Sequence, residues 1–460
     1  ASGPSPERAR RGARRWPWVA ALAGGLALRL PGLLFNGMYD LDQMILEWGA
    51  DVAQRGIGPA FGENYGFLSY LAYGAAAQLA EAMPRFWWAP VKAMEICAEL
   101  GVLAALLALA APAHRLAVVA MFWLNPWFAL HGAWHGFWEG PHVLAALLGV
   151  VCVARVRRSW VAWGALGFLV AASWMFKPQG LIQIGVPVGI FLGLALLRNG
   201  RTEVFWYVAG VLAFLALGTA LLVADGAHPL AIPRNAFTAA DAMPNLCNEC
   251  LNLWRPVSVL FMAALGQEGP THQLVLPATL LTVLQLFAAA VTLGAIAVYA
   301  WRLSPQGAPP RAHTLLLAMA FSSLVISSFG TMAHVNHGFT AAVLLIPFAA
   351  GDARLRRPWI ALIAISLLAH LTTFGVGRPR VLPELYLDFD PARALVAGIE
   401  GAVREARELP LLQFRVQRFL RRWLPLEPTL TVLSLGQAVC AVALVRALFA
   451  ASPRRRGEPA

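Results

Sequence analysis

Apolar stretches of about twenty residues, the length a helix needs to cross the hydrocarbon core of a bilayer, recur along the whole of this chain. Candidate spans fall at 16–35, 91–111, 115–131, 138–154, 159–176, 180–197, 204–224, 275–301, 313–330, 336–350, 358–376 and 428–449. Composition leaves no soluble alternative. The chain is 59 % hydrophobic and 13 % charged over 460 residues, whereas globular chains run at roughly 45–50 % apolar and about 25 % charged. Disorder requires low hydrophobicity, and five cysteines in this length are too few for a disulfide scaffold. The fold class is an all-α polytopic membrane protein of about 12 transmembrane helices, with amphipathic helices in long outer-face loops.

Arginines set the expected sidedness, because short basic loops stay cytoplasmic. Residues 1–15 form a basic cytoplasmic N-terminus with Arg8, Arg10, Arg11, Arg14 and Arg15. No small-residue cleavage site follows the first apolar run, so that span is expected to be a retained anchor. Counting spans alternately, the inner connections carry Arg115, then Arg155 to Arg158, Arg198 and Arg201, Arg302 and Arg311, and Arg354 to Arg357. Residues 16–376 form the transmembrane domain, with outer loops 36–90 and 225–274. Residues 377–427 form an outer segment whose Glu/Arg-rich stretch 391–423 reads as helices lying along the surface. Residues 428–460 supply the last span and a basic cytoplasmic tail. The net charge of +12 does not imply nucleic acid, since the basic cluster adjoins an apolar run and presents no basic face with interleaved aromatics. High Ala and Arg content and short loops point to a bacterial plasma (inner) membrane, multi-pass.

Polar residues gather at the outer ends of the spans. The first outer loop opens with Met38-Tyr39-Asp40-Leu41-Asp42-Gln43 and continues through Glu47, Trp48 and Asp51. Paired carboxylates there suit a general base or metal ligand, or simply the dipole of a helix start. The turn from Asn125 to Glu139 places His131, His135 and Glu139 among tryptophans of the kind that form interfacial belts. Lys177-Pro178-Gln179 ends one span, and Lys177 either snorkels or meets a lipid phosphate. Cys247-x-x-Cys250 is a metal pair or a disulfide; with no second pair to complete a zinc site, the bridge is preferred. His334 and His337 share a helix face and suit phosphate oxygens as donors. No internal repeat appears, and the spans show few central charges, which argues against a transporter.

This order of motifs resembles the GT-C superfamily, integral-membrane glycosyltransferases that use polyprenyl-phosphate sugars. It comprises Asp40-Leu41-Asp42, similar to the Asp-x-Asp of the mannosyltransferase branch, then Lys92 and Glu99, then Asn125-Pro126 with His135-Gly136 and Glu139. After these come Lys177-x-Gln179, Asn252-Leu253-Trp254 and the His334–His337 segment. The chain departs from the family pattern at Phe137-Trp138, at Asn64-Tyr65-Gly66 and at Asn336. The resemblance implies transfer of a hexose from a polyprenyl-phosphate donor to a lipid, glycan or protein acceptor, on the extracytoplasmic side and with inversion. It implies Asp40 or Asp42 as base, Lys177, Gln179, His334 and His337 as donor-phosphate ligands, and His135, Glu139, Tyr65, Asn252 and Trp254 as substrate contacts. A divalent metal is allowed but not required, and no side chain is assigned as a metal ligand. No Gly-rich phosphate loop follows a strand, as expected for a donor already activated on lipid. The main rival is a transporter or flippase of lipid-linked glycans.

Overall fold

The computed structural model describes residues 6–34, 37, 41, 43–62, 65–83, 86–235, 246, 251–269, 271–304, 311–331, 335–374, 419–420 and 422–451, with side chains described throughout except at 6–15, 272 and 335. Asp40, Asp42, Cys247, Cys250, His334 and nearly all of the outer segment 377–427 lie outside them.

Among the described residues the regular structure is helical, with no strand. In chain order the main helices are α1 (Pro6–Arg29), α2 (Phe67–Ala82), α3 (Ala89–Leu109), α4 (Arg115–Phe122), α5 (Pro126–Ala129), α6 (Gly140–Arg155), α7 (Ser159–Phe176) and α8 (Val186–Asn199). Then follow α9 (Glu203–Ala224), α10 (Trp254–Leu265), α11 (Ala278–Leu303), α12 (Ala312–Phe329), α13 (Gly338–Ala349), α14 (Ala353–Phe374) and α15 (Leu426–Ala451). This is a multi-pass membrane protein.

Eight described helices are long and apolar enough to cross a membrane, or nine if the bent pair Pro112–Phe122 and Pro126–Trp134 counts as one span. The other stretches read as spans differ for identifiable reasons. Lys92, Glu95 and Glu99 put three charges in the first half of α3, so the expectation of few central charges does not hold for this helix. The run 115–131 is broken at Asn125-Pro126 and bends by 51°. Pro126 has no N–H to continue a helix, and the Asn125 side chain accepts the Trp127 N–H at 3.0 Å as the cap of a new one. Helices α6 and α13 have only 16 and 12 residues.

Burial grades the bundle. In α12, 72 % of the most apolar window is buried, against 17 % in α11. So α12 is central, packed by α13, α11, α15 and α8, while α11 leaves most of its own surface outside the bundle. Small residues set the tightest crossing, as is usual where lipid supplies no hydrophobic drive. A Cβ at Gly167 of α7 would strike the Tyr207 carbonyl, and one at Gly210 of α9 would strike the Gly164 carbonyl. Gly210→Ala is therefore expected to lower stability by roughly 1–3 kcal/mol through overpacking, read as earlier thermal unfolding in detergent.

The basic connections converge on one end of the bundle. Arg155 donates to Ala108 O at 2.9 Å, and Arg198 to Trp301 O and Ser304 O, both at 2.6 Å. Arg157 and Arg311 line one groove, and Gly351 lies against the His114 ring. A second polar cluster, built around Glu139 and Lys177, lies apart from these connections.

Candidate active site

The backbone around that second cluster is irregular by design of its sequence. After α5 the chain widens into a π-turn, Leu130–Trp134. It then turns at Gly136, whose φ of 77° is one that residues with a Cβ seldom adopt. Pro141 helps start α6 immediately afterwards. The result is that Glu139 ends an inward-folded hairpin. Two of its tryptophans, Trp127 and Trp138, are buried within the protein, while Trp134 is half-buried.

Glu139 is the hub. Lys177, just past α7, donates to its Oε1 in a buried ion pair. Asn336 Nδ2 donates to the same oxygen at 3.0 Å, and His142 Nδ1 stands 3.4 Å from Oε2. A second rung lies beside the first, where Gln179 Nε2 meets His337 Nε2 at 2.6 Å. The segments 177–179 and 336–337 are thus joined once through Glu139 and once directly. Gln183 Nε2 adds a bond of 3.3 Å to the His337 carbonyl.

Tyr65 joins this group, with Lys177 Nζ 5.7 Å from its ring centroid. Gly66 permits the approach, since a Cβ there would collide with Met175 backbone. Asn235 fixes the loop by donating to Gly62 O at 2.7 Å and Tyr65 O at 3.1 Å. Behind Tyr65 lie Trp48 and Tyr73, at 5.6 Å and 6.0 Å. Burial raises the nearby Glu47 carboxyl above its ordinary value, opposed by a Gln43 hydrogen bond. Asp51, by contrast, pairs at the surface with Arg55.

Helix α3 carries Lys92 and Glu99 of the motif series and adds Glu95, which the sequence motifs did not include. Glu95 is buried; its Oε1 accepts the Gly140 N–H at 2.7 Å, and its Oε2 has no hydrogen-bond partner. Glu99 pairs with Arg29 at 2.5 Å, while Lys92 Nζ donates to Gly32 O and Trp134 O at 2.9 Å and 2.7 Å. Residues 92, 95 and 99 share one helical face, which is the signal available from spacing alone. His142, three residues beyond Glu139, was legible in the same way.

The remaining sequence candidates sit elsewhere. His135 packs against His370 and Phe374 of α14, at centroid distances of 5.8 Å and 5.6 Å, beside a His131–His370 contact of 3.0 Å. Asn252 caps α10 through Trp254 N at 3.0 Å and donates to Gly330 O at 2.7 Å. Trp254 Nε1 donates to Phe329 O at 2.7 Å. These two residues fasten α10 to the end of α12, which is an anchoring arrangement. No group of three or more His, Cys, Asp or Glu suited to a metal occurs among the described residues.

Among known proteins, no family model matches the chain and no curated sequence aligns with it as a relative.

Proposed function

We propose that this protein is a GT-C-like, polyprenyl-phosphate-sugar-dependent glycosyltransferase with about twelve membrane segments. Its site opens on the extracytoplasmic face of a bacterial plasma membrane. The observation that carries the proposal is the meeting of Tyr65, Glu139, Lys177, Gln179 and His337 in one cluster apart from the basic loops. These five residues come from four separate stretches of the chain, and all but Tyr65 belong to one ordered series of motifs. Further support comes from the flanks of the acidic motif. Leu41 is buried against Gly136, and Gly37 against the His135 carbonyl and Lys92, on the hairpin that carries Glu139.

The chemistry follows from these residue types. Asp40, with Asp42 as the alternative, takes the proton of the acceptor hydroxyl as general base. The acceptor oxygen attacks the anomeric carbon, the bond from that carbon to the phosphate oxygen breaks, and configuration inverts. Polyprenyl phosphate leaves with the bonding electron pair, so negative charge grows on the phosphate. Lys177, with Gln179, His337 and His334, supplies donors there, and stabilisation of developing charge is the largest single contribution such a site makes.

The test is product formation. Purified protein in nanodiscs, given a polyprenyl-phosphate hexose and a bacterial envelope extract as acceptor pool, is expected to release polyprenyl phosphate and form a glycosylated product. Flux across proteoliposomes without a covalent product would instead establish the transporter reading. Lys177→Ala is expected to weaken donor binding by about tenfold to a hundredfold, the scale of one charge-assisted contact. Unchanged donor affinity in that variant would remove its phosphate role.

A further inference from the structure

Lys177, the main cation offered to the donor phosphate, is not waiting for a ligand. Its ammonium is paired with Glu139 and both side chains are buried. An anion reaching Lys177 must therefore compete with a carboxylate, and a carboxylate stripped of every donor in such a place would be strongly disfavoured. The surroundings of Glu139 remove that obstacle. Asn336 Nδ2 donates to Oε1 at 3.0 Å. His142 Nε2 lies 3.0 Å from Thr340 Oγ1; with the Thr340 hydroxyl donating there, His142 carries its proton on Nδ1, facing Glu139 Oε2 at 3.4 Å. When Lys177 turns away, Glu139 thus keeps the Asn336 hydrogen bond and has the His142 ring nitrogen close by at 3.4 Å, not hydrogen-bonded to it in this state but near enough to close on the carboxylate.

We propose that Glu139 is an exchangeable counter-ion: it compensates Lys177 in the empty site, yields Lys177 to the incoming phosphate, and falls back on Asn336 and His142. This rests on the donor-phosphate reading given above and adds a positioning residue to it. The consequence is a fixed cost on phosphate binding that the enzyme carries for the stability of its empty state. Removing the Glu139 charge while keeping its shape leaves Lys177 without this competitor, so the phosphate becomes its counter-ion. Removing Asn336 does the reverse, because Glu139 then depends more on Lys177.

The experiment measures binding of farnesyl phosphate, with farnesol as the control lacking phosphate, to the full chain in nanodiscs by titration calorimetry. Glu139→Gln is expected to bind farnesyl phosphate about tenfold more tightly than the unaltered protein, the scale of one competing charged contact. Glu139→Asp should return close to the unaltered affinity, Asn336→Ala should bind more weakly, and the Asn336→Ala effect should vanish in the Glu139→Gln background. Tightening on removal of a buried group is an outcome that structural damage does not produce. If Glu139→Gln does not fold, Asn336→Ala decides alone, and an unchanged affinity there overturns the proposal. Equal or weaker binding by a folded Glu139→Gln, with the unaltered protein still preferring farnesyl phosphate to farnesol, overturns the exchange and leaves the donor reading standing. No preference for farnesyl phosphate in the unaltered protein overturns both.

Discussion

Asp40→Asn is expected to lower the rate of sugar transfer by roughly 10²- to 10⁴-fold, the usual contribution of a positioned general base. Asparagine keeps the size and hydrogen-bonding reach of aspartate but cannot accept the acceptor's proton. The loss should therefore fall on kcat, with donor affinity unchanged, which is the signature of an interaction made only in the transition state. Asp42→Asn serves as the internal comparison. In an extended or turning segment both carboxylates can reach one site, whereas on a helix residues two apart point in opposing directions. A large loss in one variant and a small loss in the other would identify the base. Full activity in both would remove the acidic motif from the chemistry altogether, and equal loss of donor binding would make its role structural.

The membrane class was legible because it rests on a sum over the whole chain, and eight long apolar helices answer to it. The number of spans was not, because hydropathy cannot see a break. Asn125-Pro126 lies inside a run that averages as apolar, yet it starts a new helix at 51° to the last. Much of the candidate site was readable one residue at a time, as charge at a helix end. What spacing could not supply was the pairing. Nothing in the sequence places Asn336 on Glu139, 197 positions away. Nor does it say that Lys177 spends its charge on a protein carboxylate rather than on solvent. Asn252 and Trp254 look in sequence like a binding motif, and in the fold their side chains hold the start of α10 and tie it to α12.

The buried ion pair between α1 and α3 gives the largest expected effect on stability. Arg29 Nε donates to Glu99 Oε2 at 2.5 Å, Arg29 Nη1 donates to Trp123 O at 2.6 Å, and the guanidinium lies 3.9 Å from the Trp123 ring centroid. Neither side chain of the pair is exposed, and Gly132 leaves the room in which the carboxylate sits. Arg29→Ala should destabilise the protein by about 3–5 kcal/mol, because it strands a buried carboxylate beside the closely packed hairpin. The double replacement Arg29→Met with Glu99→Leu should recover most of that loss, since matched apolar side chains often replace a buried pair at little net cost. Unfolding in mixed micelles would measure both. A single variant within about 1 kcal/mol of the unaltered protein would mean the pair is solvated and no stronger than a surface bridge. A double variant as unstable as the single would mean that α1 and α3 are held by the polar contacts of Arg29 to Gly25 and Trp123 carbonyls, and that the charge on Glu99 has another use.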